Sequence, residues 1–163
     1  MRERPPADSE IIATLVPSPI RRYMGTGVMV ALGIILFYVA QDDRNSSLVA
    51  ALLFVGLGVV ALLLAHRMHT ASSNSLTLLA EELHSSDGSL VAKTDNIARV
   101  ERGLFAFKPS NGFLIVLREP MPVAWHPGLW WRLGRRVGVG GVTPRAESKL
   151  MAERIHMLIG APD

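Results

Sequence analysis

Two stretches decide the fold: residues 23–40, YMGTGVMVALGIILFYVA, and residues 48–65, LVAALLFVGLGVVALLLA. Neither contains a lysine, arginine, aspartate, glutamate or histidine. As a helix, each stretch rises about 27 Å, close to the roughly 30 Å hydrocarbon core of a bilayer. A helix that is apolar on every face leaves no side for water, so two in succession predict transmembrane helices rather than core helices of a soluble protein.

The residues between these stretches, 41–47, are too few to cross a bilayer, so residues 23–65 are predicted to form an antiparallel transmembrane hairpin. The first apolar run is longer than that of an ordinary signal peptide and lacks a cleavage site, so we expect it to be retained. The preceding segment, residues 1–22, carries Arg2, Arg4, Arg21 and Arg22, whereas the loop carries one arginine beside Asp42 and Asp43. This bias predicts that both termini face the cytoplasm.

Small residues on both stretches allow close helix packing. Gly27 and Ala31 on the first, and Ala61 and Ala65 on the second, have the small-xxx-small spacing, and Gly58 adds a further small position. Two interpretations stay open: packing within the hairpin, or docking of the hairpin onto another membrane protein. Neither stretch carries the ionisable or ligating side chains that ion transport, proton relay or haem binding require.

The segments that flank the hairpin are less distinctive. Ile11, Ile12, Leu15 and Val16 are spaced for one face of a short helix on the membrane surface, ended by Pro17 and Pro19, and an unordered terminus is the alternative. Residues 66–75, rich in serine, threonine and histidine, are interpreted as a linker.

Residues 76–160 are predicted to form one small soluble domain. Short apolar runs separated by Asp-Gly, Asn-Gly and proline turns indicate strands of an antiparallel sheet. These runs are residues 76–83, 90–93, 97–107, 113–118 and 123–125. From residue 145 to residue 159 the apolar period changes to that of an amphipathic helix, with Thr143 as the expected N-cap, Pro144 at the first position and Gly160 as the stop.

The order of these elements resembles a known family. A two-helix hairpin followed by Ser75-Leu76-Thr77-Leu78, Asp87-Gly88-Ser89-Leu90-Val91 and the segment TDNIARV at residues 94–100 is similar to bacterial membrane proteins with a pleckstrin-homology-like domain. The resemblance implies a strongly bent or partly closed antiparallel sheet plugged by the C-terminal helix, a non-catalytic binding role, and a place in the bacterial cytoplasmic (inner) membrane. The stretch 120–141 is richer in tryptophan, arginine and glycine than this pattern.

That richer stretch is the candidate site. Residues 120–146 hold all three tryptophans and four arginines but no acidic residue. Tryptophan prefers the headgroup level of a membrane, and both residue types are frequent anchors at protein interfaces. Three interpretations stay open: contact with lipid, contact with a partner protein, or tryptophans that fill the core beside solvated arginines. The predicted contact residues are Trp125, Trp130, Trp131, Arg132, Arg135 and Arg136.

The remaining residues give little sign of other chemistry. The 163 residues include no cysteine, which excludes disulfides and thiolate metal sites. His66 and His69 are too few to hold a metal by themselves. The glycines at 134–141 lack the strand-loop-helix context of a dinucleotide site. From Arg67 onward, 12 basic residues oppose 9 acidic ones, a smaller excess than nucleic-acid binding usually shows.

Together these features predict an α+β membrane protein: a transmembrane hairpin, a small antiparallel β domain and a C-terminal helix. The predicted function is that of a non-catalytic accessory or assembly subunit that docks on a larger membrane protein complex. Its predicted partners are membrane lipids and another membrane protein, with no nucleic acid, cofactor or metal. The alternatives are a sensor of anionic lipid headgroups and, less favoured, a small membrane-bound enzyme using His126, Asp95 or Glu101.

Overall fold

The computed structural model describes residues 10–41, 47–102 and 109–160. In these ranges the chain forms two long helices, two antiparallel sheets and a C-terminal helix, which confirms the predicted α+β layout. The elements are β1 (Ala13–Leu15), α1 (Pro19–Ala40), α2 (Leu48–Ala71), β2 (Leu76–Leu78), β3 (Glu82–Ser85), β4 (Leu90–Lys93), β5 (Ile97–Glu101), β6 (Phe113–His126), β7 (Trp130–Val139) and α3 (Arg145–Leu158). Outside the described residues lie Arg2, Arg4, Asp42, Asp43 and the second part of the strand expected at 97–107.

Both apolar stretches are helical, and both helices extend beyond the predicted bounds. α1 begins at Pro19, a favoured first position because the first helical N–H groups have no partner within the helix. α2 continues to Ala71 through most of the expected linker, because residues 66–71 contain neither proline nor glycine. Each helix is long and apolar enough to span a membrane. Little of either helix is buried inside the fold: 6% of the most apolar 18-residue segment of α1, and 17% of the corresponding segment of α2.

Small residues bring α1 and α2 together. A Cβ atom added to Gly33 would lie 3.3 Å from the carbonyl oxygen of Gly58 and even closer to the side chain of Leu62. Gly58, Ala61 and Ala65 are the buried positions in the apolar part of α2. The two backbones therefore approach each other closely near the middle of the hairpin, as small residues permit.

Gly27 and Ala31 take no part in this contact. Both are exposed, and a Cβ atom at Gly27 would have no neighbour within 4 Å. The helical repeat explains their position: Ala31 is two residues from Gly33, which corresponds to about 200° of rotation about the axis, and Gly27 is six residues away, or about 240°. On α1, the hairpin is instead packed through Gly33 and through Gly25, whose Cβ position is occupied by the side chain of Met68.

The N-terminal segment forms a strand, so the expected surface helix is wrong. β1 pairs antiparallel with β2, with Leu15 opposite Leu76, and the N–H of Ile12 donates to the carbonyl of Leu78 at 2.9 Å. Proline at position 17 disfavours the helical conformation for Val16, and the neighbouring sheet supplies the backbone partners that a strand needs. Leu15 is fully buried in the core.

The helical hairpin formed by α1 and α2 is thus an insertion within the β domain. β1 precedes α1, whereas β2 follows α2, and the two strands lie side by side in one sheet with the order β1-β2-β3-β4. The start of α1 and the end of α2 are consequently at the same end of the hairpin.

The second sheet, β5-β6-β7, is dominated by one long hairpin formed by β6 and β7, here called the ribbon. Its register shifts between Val116 and Met121 and again before Ala124, a stretch that includes two prolines. Gly134 adopts a left-handed φ of 57° opposite this region. The ribbon therefore bends sharply. The turn between β6 and β7 therefore lies against the end of β7, where the N–H of Gly140 donates to the carbonyl of Leu129 at 2.9 Å.

The strand Trp130–Val139 is absent from the sequence-based strand assignment. Its glycines and arginines obscure the alternation that marks a half-buried strand, and its backbone conformation is stabilised by pairing along β6.

α3 closes the domain, and the amphipathic helix predicted at residues 145–159 is confirmed with nearly the same bounds. It packs against β1 of one sheet and against β5 and β6 of the other. Pro144 rather than Thr143 is the N-cap, and the Thr143 hydroxyl instead accepts a hydrogen bond from Ser148 at 2.9 Å. Gly160, with φ 55°, follows the helix end as expected. The buried α3 residues are Ser148, Met151, Ala152 and Ile155.

Candidate functional site

The register of the ribbon sorts the aromatic and basic residues of segment 120–146 onto two faces. Trp125 lies opposite Trp131, and His126 lies opposite Trp130. Opposed residues of an antiparallel pair share a face, and successive residues alternate between faces. Trp130 and Arg132 therefore lie on one face of the ribbon, and Trp125 and Trp131 lie on the other.

Trp130 is a residue of the domain interior rather than a contact for lipid or a partner. Its side chain is among the largest of the fully buried ones. The His126 ring stacks on it, with 4.4 Å between ring centroids and 13° between planes. Burial of so large an apolar ring contributes to the core of a small domain, which explains why this tryptophan is inside.

Arg132 is also inside, at 8% exposure, and it connects the two sheets. Its Nη1 donates to the carbonyl oxygens of Leu90, at 2.8 Å, and Val91, at 3.0 Å, both on the edge strand β4. Its Nε donates to the carbonyl oxygen of Pro122 at 2.7 Å. Burial lowers the pKa of this guanidinium below its ordinary value. Arg132 therefore donates to backbone carbonyls of both sheets, and its predicted surface role is replaced by a structural one.

The opposite side of the ribbon presents four apolar side chains, Val123, Trp125, Trp131 and Leu133, here called the ribbon face. Three of them are largely exposed: Val123 at 71%, Trp125 at 56% and Leu133 at 63%. Trp131 is half-buried because its indole lies over Gly138, where a Cβ atom would overlap the ring. Exposed apolar residues that adjoin one another mark an interaction surface more often than scattered ones do.

Two arginines accompany the ribbon face. Arg135 and Arg136 follow Leu133 on β7 and are both exposed. Neither forms an ion pair with the residues that the structure describes. These two positive charges therefore remain available to an external anionic group. Of the six predicted contact residues, Trp125, Trp131, Arg135 and Arg136 lie at the surface.

The turn at residues 127–129, the tip of the ribbon, lies against the end of α2. A Cβ atom at Gly128 would be 3.2 Å from Cγ of Met68 and 3.7 Å from Cβ of Ser72. A cavity of about 300 Å³ adjoins the tip, lined by Trp125, Trp131 and the tip residues among others. The ribbon is thus anchored beside the hairpin rather than at the far end of the domain.

The same level of the hairpin carries polar and aromatic side chains. The rings of Tyr23 and His69 lie 5.8 Å apart, and the Arg22 guanidinium is 4.9 Å from the centroid of the Tyr23 ring. Nη1 of Arg22 donates to the hydroxyl of Ser73 at 3.3 Å. The Tyr23–His69 contact joins α1 to α2, and the Arg22–Ser73 hydrogen bond joins α1 to the segment that follows α2, both at the end of the apolar stretches. Aromatic and basic residues at such a position are typical of a membrane–water interface.

A polar cluster connects the ribbon tip to the rest of the domain. Oδ2 of Asp87, in the turn between β3 and β4, is 3.3 Å from Nδ1 of His126 and accepts a hydrogen bond from Nδ2 of Asn74 at 3.2 Å. Its other oxygen, Oδ1, accepts from the backbone N–H of Ser89 at 2.9 Å. Asp87 therefore joins the segment after α2, the β3–β4 turn and the ribbon.

This cluster predicts a specific loss of stability in acid. Burial acts to raise the pKa of Asp87, but hydrogen bonds from Ser89, the charge of His126 and a contact with Ser85 outweigh it and hold the pKa below the ordinary value of 3.8. A lowered folded-state pKa means that the carboxylate stabilises the fold above about pH 4, and that this contribution disappears as the pH falls further. We expect Asp87→Asn to flatten the fall of the melting temperature between neutral pH and pH 3.

The matched control for this measurement is Asp95→Asn, at an exposed aspartate. Its melting temperature should follow that of the unmodified chain over the whole pH series, recorded by tryptophan fluorescence in detergent. An Asp87→Asn chain with the full pH dependence would contradict the structural role assigned to this carboxylate.

The other candidate residues are dispersed. Asp95 is exposed in the β4–β5 turn, and Glu101 pairs with Arg99, with 2.7 Å between Nη2 and Oε1. His66 is exposed on α2, three residues before His69. Among the described residues no group of three or more histidines, aspartates and glutamates is placed to hold a metal ion.

Comparison with known proteins found no matching family model, no matching curated protein and no matching solved structure.

Proposed function

We propose that this chain is a membrane-anchored, non-catalytic accessory or assembly subunit that docks on a larger membrane protein complex. In this proposal the hairpin spans the bacterial inner membrane, both termini are cytoplasmic, and the β domain is a pleckstrin-homology-like binding module. The observation that carries the proposal is the outer surface of the hairpin, which is apolar and presents unused small residues.

Membrane insertion is supported by the low burial of the two helices. A core helix of a soluble protein is mostly buried, whereas 6% and 17% of the apolar windows of α1 and α2 lie inside the fold. At about 1.5 Å per residue, the 22 and 24 residues of these helices measure about 33 and 36 Å, enough to cross a hydrocarbon core of about 30 Å.

Retention of α1 is supported by the position of β1. Cleavage after α1, as for a signal peptide, would remove the strand that contributes Leu15 to the core. Arg21 and Arg22, in the first turn of α1, and the β domain after α2 lie at one end of the hairpin, which favours a common, cytoplasmic side for both.

The pleckstrin-homology-like assignment is supported by three features of the β domain. Its two sheets are antiparallel, its long ribbon is bent so that its turn lies against the end of β7, and α3 packs on strands of both sheets. The chain differs in one feature from the family pattern that it resembles: its first strand precedes the helical hairpin instead of following it. A binding role agrees with the use of Asp87 and His126, which hold separate segments of the domain together.

Docking through the hairpin is supported by Gly27 and Ala31. Their outward position leaves a shallow, apolar strip on α1 that α2 does not cover. In a bilayer, such strips allow another helix to approach closely, and van der Waals packing then drives association. This position favours docking on another membrane protein over packing within the hairpin, the two interpretations that the sequence leaves open.

The test is purification of the tagged chain in mild detergent at its native abundance. We expect a membrane protein to accompany the unmodified chain in a fixed ratio and to be lost from Gly27→Ile, which fills the strip without touching α2. Gly56→Ile is the matched control, because Gly56 is equally exposed, also lacks neighbours within 4 Å and lies on the other helix. A chain that migrates alone, or a partner that both variants retain, would overturn docking through this strip.

A further inference from the structure

We propose that the ribbon face rests on the bilayer surface beside the hairpin, so that the β domain is held against the membrane by lipid contact as well as by its covalent connections. The occupant of this face is the headgroup and upper acyl region of an anionic leaflet. The inference rests on the membrane insertion contained in the proposed function, but not on a partner protein.

The depth of the ribbon tip is set by contacts with the hairpin. Gly128 packs on Met68, which lies three helical residues beyond Ala65, or about 4.5 Å past the end of the apolar stretch. The headgroup region occupies roughly 5–8 Å on each side of the hydrocarbon core. The tip is therefore level with the headgroups, together with Tyr23 and His69.

Trp125 and Trp131 are close to this level. Each is three residues from Gly128, which limits the separation along the strand to about 10 Å. Tryptophan is the side chain that most favours this zone, because its ring is apolar and its N–H is polar. Val123 and Leu133 extend the same apolar face of the ribbon away from the tip.

Charge favours lipid as the occupant. The segment 120–146 has no acidic residue, and Arg135 and Arg136 are exposed without an ion pair among the described residues. An arginine near an anionic leaflet is attracted to it electrostatically. Apolar side chains flanked by arginine are typical of segments that lie in a membrane interface.

The chain has no cysteine, so single nitroxide labels report depth without background substitutions. Four variants of the full chain are required in nanodiscs of phosphatidylcholine and phosphatidylglycerol: Trp125→Cys and Leu133→Cys on the ribbon face, Ala98→Cys at an exposed position of β5, and Val59→Cys within α2. Collision with oxygen, which concentrates in lipid, is compared with collision with a water-soluble nickel chelate.

The measured quantity is the rate of nitroxide collision with oxygen divided by the rate of collision with the nickel chelate, here called the oxygen-to-nickel ratio. We expect this ratio at positions 125 and 133 to exceed that at position 98 severalfold, with the highest ratio at position 59. Ratios at 125 and 133 equal to that at 98, with 59 still shielded from nickel, would overturn the lipid contact and leave membrane insertion intact. Nickel access at 59 would instead contradict the insertion on which the proposed function depends. Low collision with both reagents at 125 and 133 would show that protein covers the face, and would also overturn the inference.

Charge reversal on the ribbon tests its attraction to an anionic leaflet. Adding Arg135→Glu and Arg136→Glu to the Leu133→Cys chain should lower the ratio at position 133 in anionic nanodiscs. Lys93→Glu and Arg99→Glu, a control pair of exposed basic residues on β4 and β5, should leave it unchanged. An equal ratio in all three chains would contradict attraction of the ribbon to an anionic leaflet.

Discussion

Deletion of residues 10–16 is expected to unfold the β domain, although these residues precede the helical hairpin and the rest of the domain follows it. The deletion removes β1, exposes the backbone edge of β2 and uncovers the core around Leu76 and Leu78. It also removes the Val16 N–H, which donates to Oε2 of Glu147 on α3 at 3.3 Å. We expect loss of the fluorescence and near-ultraviolet dichroism of the buried tryptophan while helical far-ultraviolet dichroism persists from the hairpin.

A point substitution isolates the side-chain part of this effect. Leu15 is fully buried, so Leu15→Ala should lower the free energy of unfolding by about 2–5 kcal/mol. Thr14→Ala, at the exposed neighbouring position of the same strand, is the control and should change stability by less than about 0.5 kcal/mol. Equal stability of the two variants would show that β1 is not part of the folded domain.

Arg132→Ala is expected to destabilise the β domain by about 3 kcal/mol or more. The substitution leaves the carbonyls of Leu90, Val91 and Pro122 without their donor, and each unsatisfied buried group costs about 1–3 kcal/mol. It also releases β4 from the ribbon, since Arg132 is the polar connection between them that the structure describes. For a domain of this size we expect the melting temperature to fall by roughly 12–24 °C.

Two comparisons separate this structural role from a contribution of charge. Arg135→Ala removes an equal charge from the same strand at an exposed position, and the expected change in unfolding free energy is below about 0.5 kcal/mol. Arg132→Lys keeps the charge, but one ammonium group cannot reproduce the planar, branched set of donors, so an intermediate loss is expected. If Arg132→Ala melts at the same temperature as Arg135→Ala, the assignment of Arg132 to the interior fails.

The elements with a long, uniform pattern were predictable. The two apolar helices are predictable because apolar residues on every side of a helix leave no face for water. α3 is predictable because its apolar residues recur at helical spacing. Their ends were less certain. The last turn of α2, which ends at Ala71, packs against the ribbon tip at Gly128, a contact between residues far apart in sequence.

The candidate site was predictable as a segment but not residue by residue. A high content of tryptophan and arginine marks residues 120–146, yet composition cannot show which side chains point outward. The register of β6 and β7 makes that assignment: it places Trp130 and Arg132 inside and Trp125 outside. Arg132 in particular lies in the interior, where backbone carbonyls of β4 and β6 accept hydrogen bonds from its guanidinium.

Local composition and periodicity predict two helices fit for a bilayer, strands that follow them and an amphipathic helix at the end of the domain, because each of these depends on the period and polarity of neighbouring residues. Other features follow only from the folded arrangement: residues 13–15 form a strand of the β domain, Gly33 rather than Gly27 packs on α2, and Trp125 rather than Trp130 is exposed. These features depend on partners distant along the chain, and such pairings leave no periodic signal in the segments that form them.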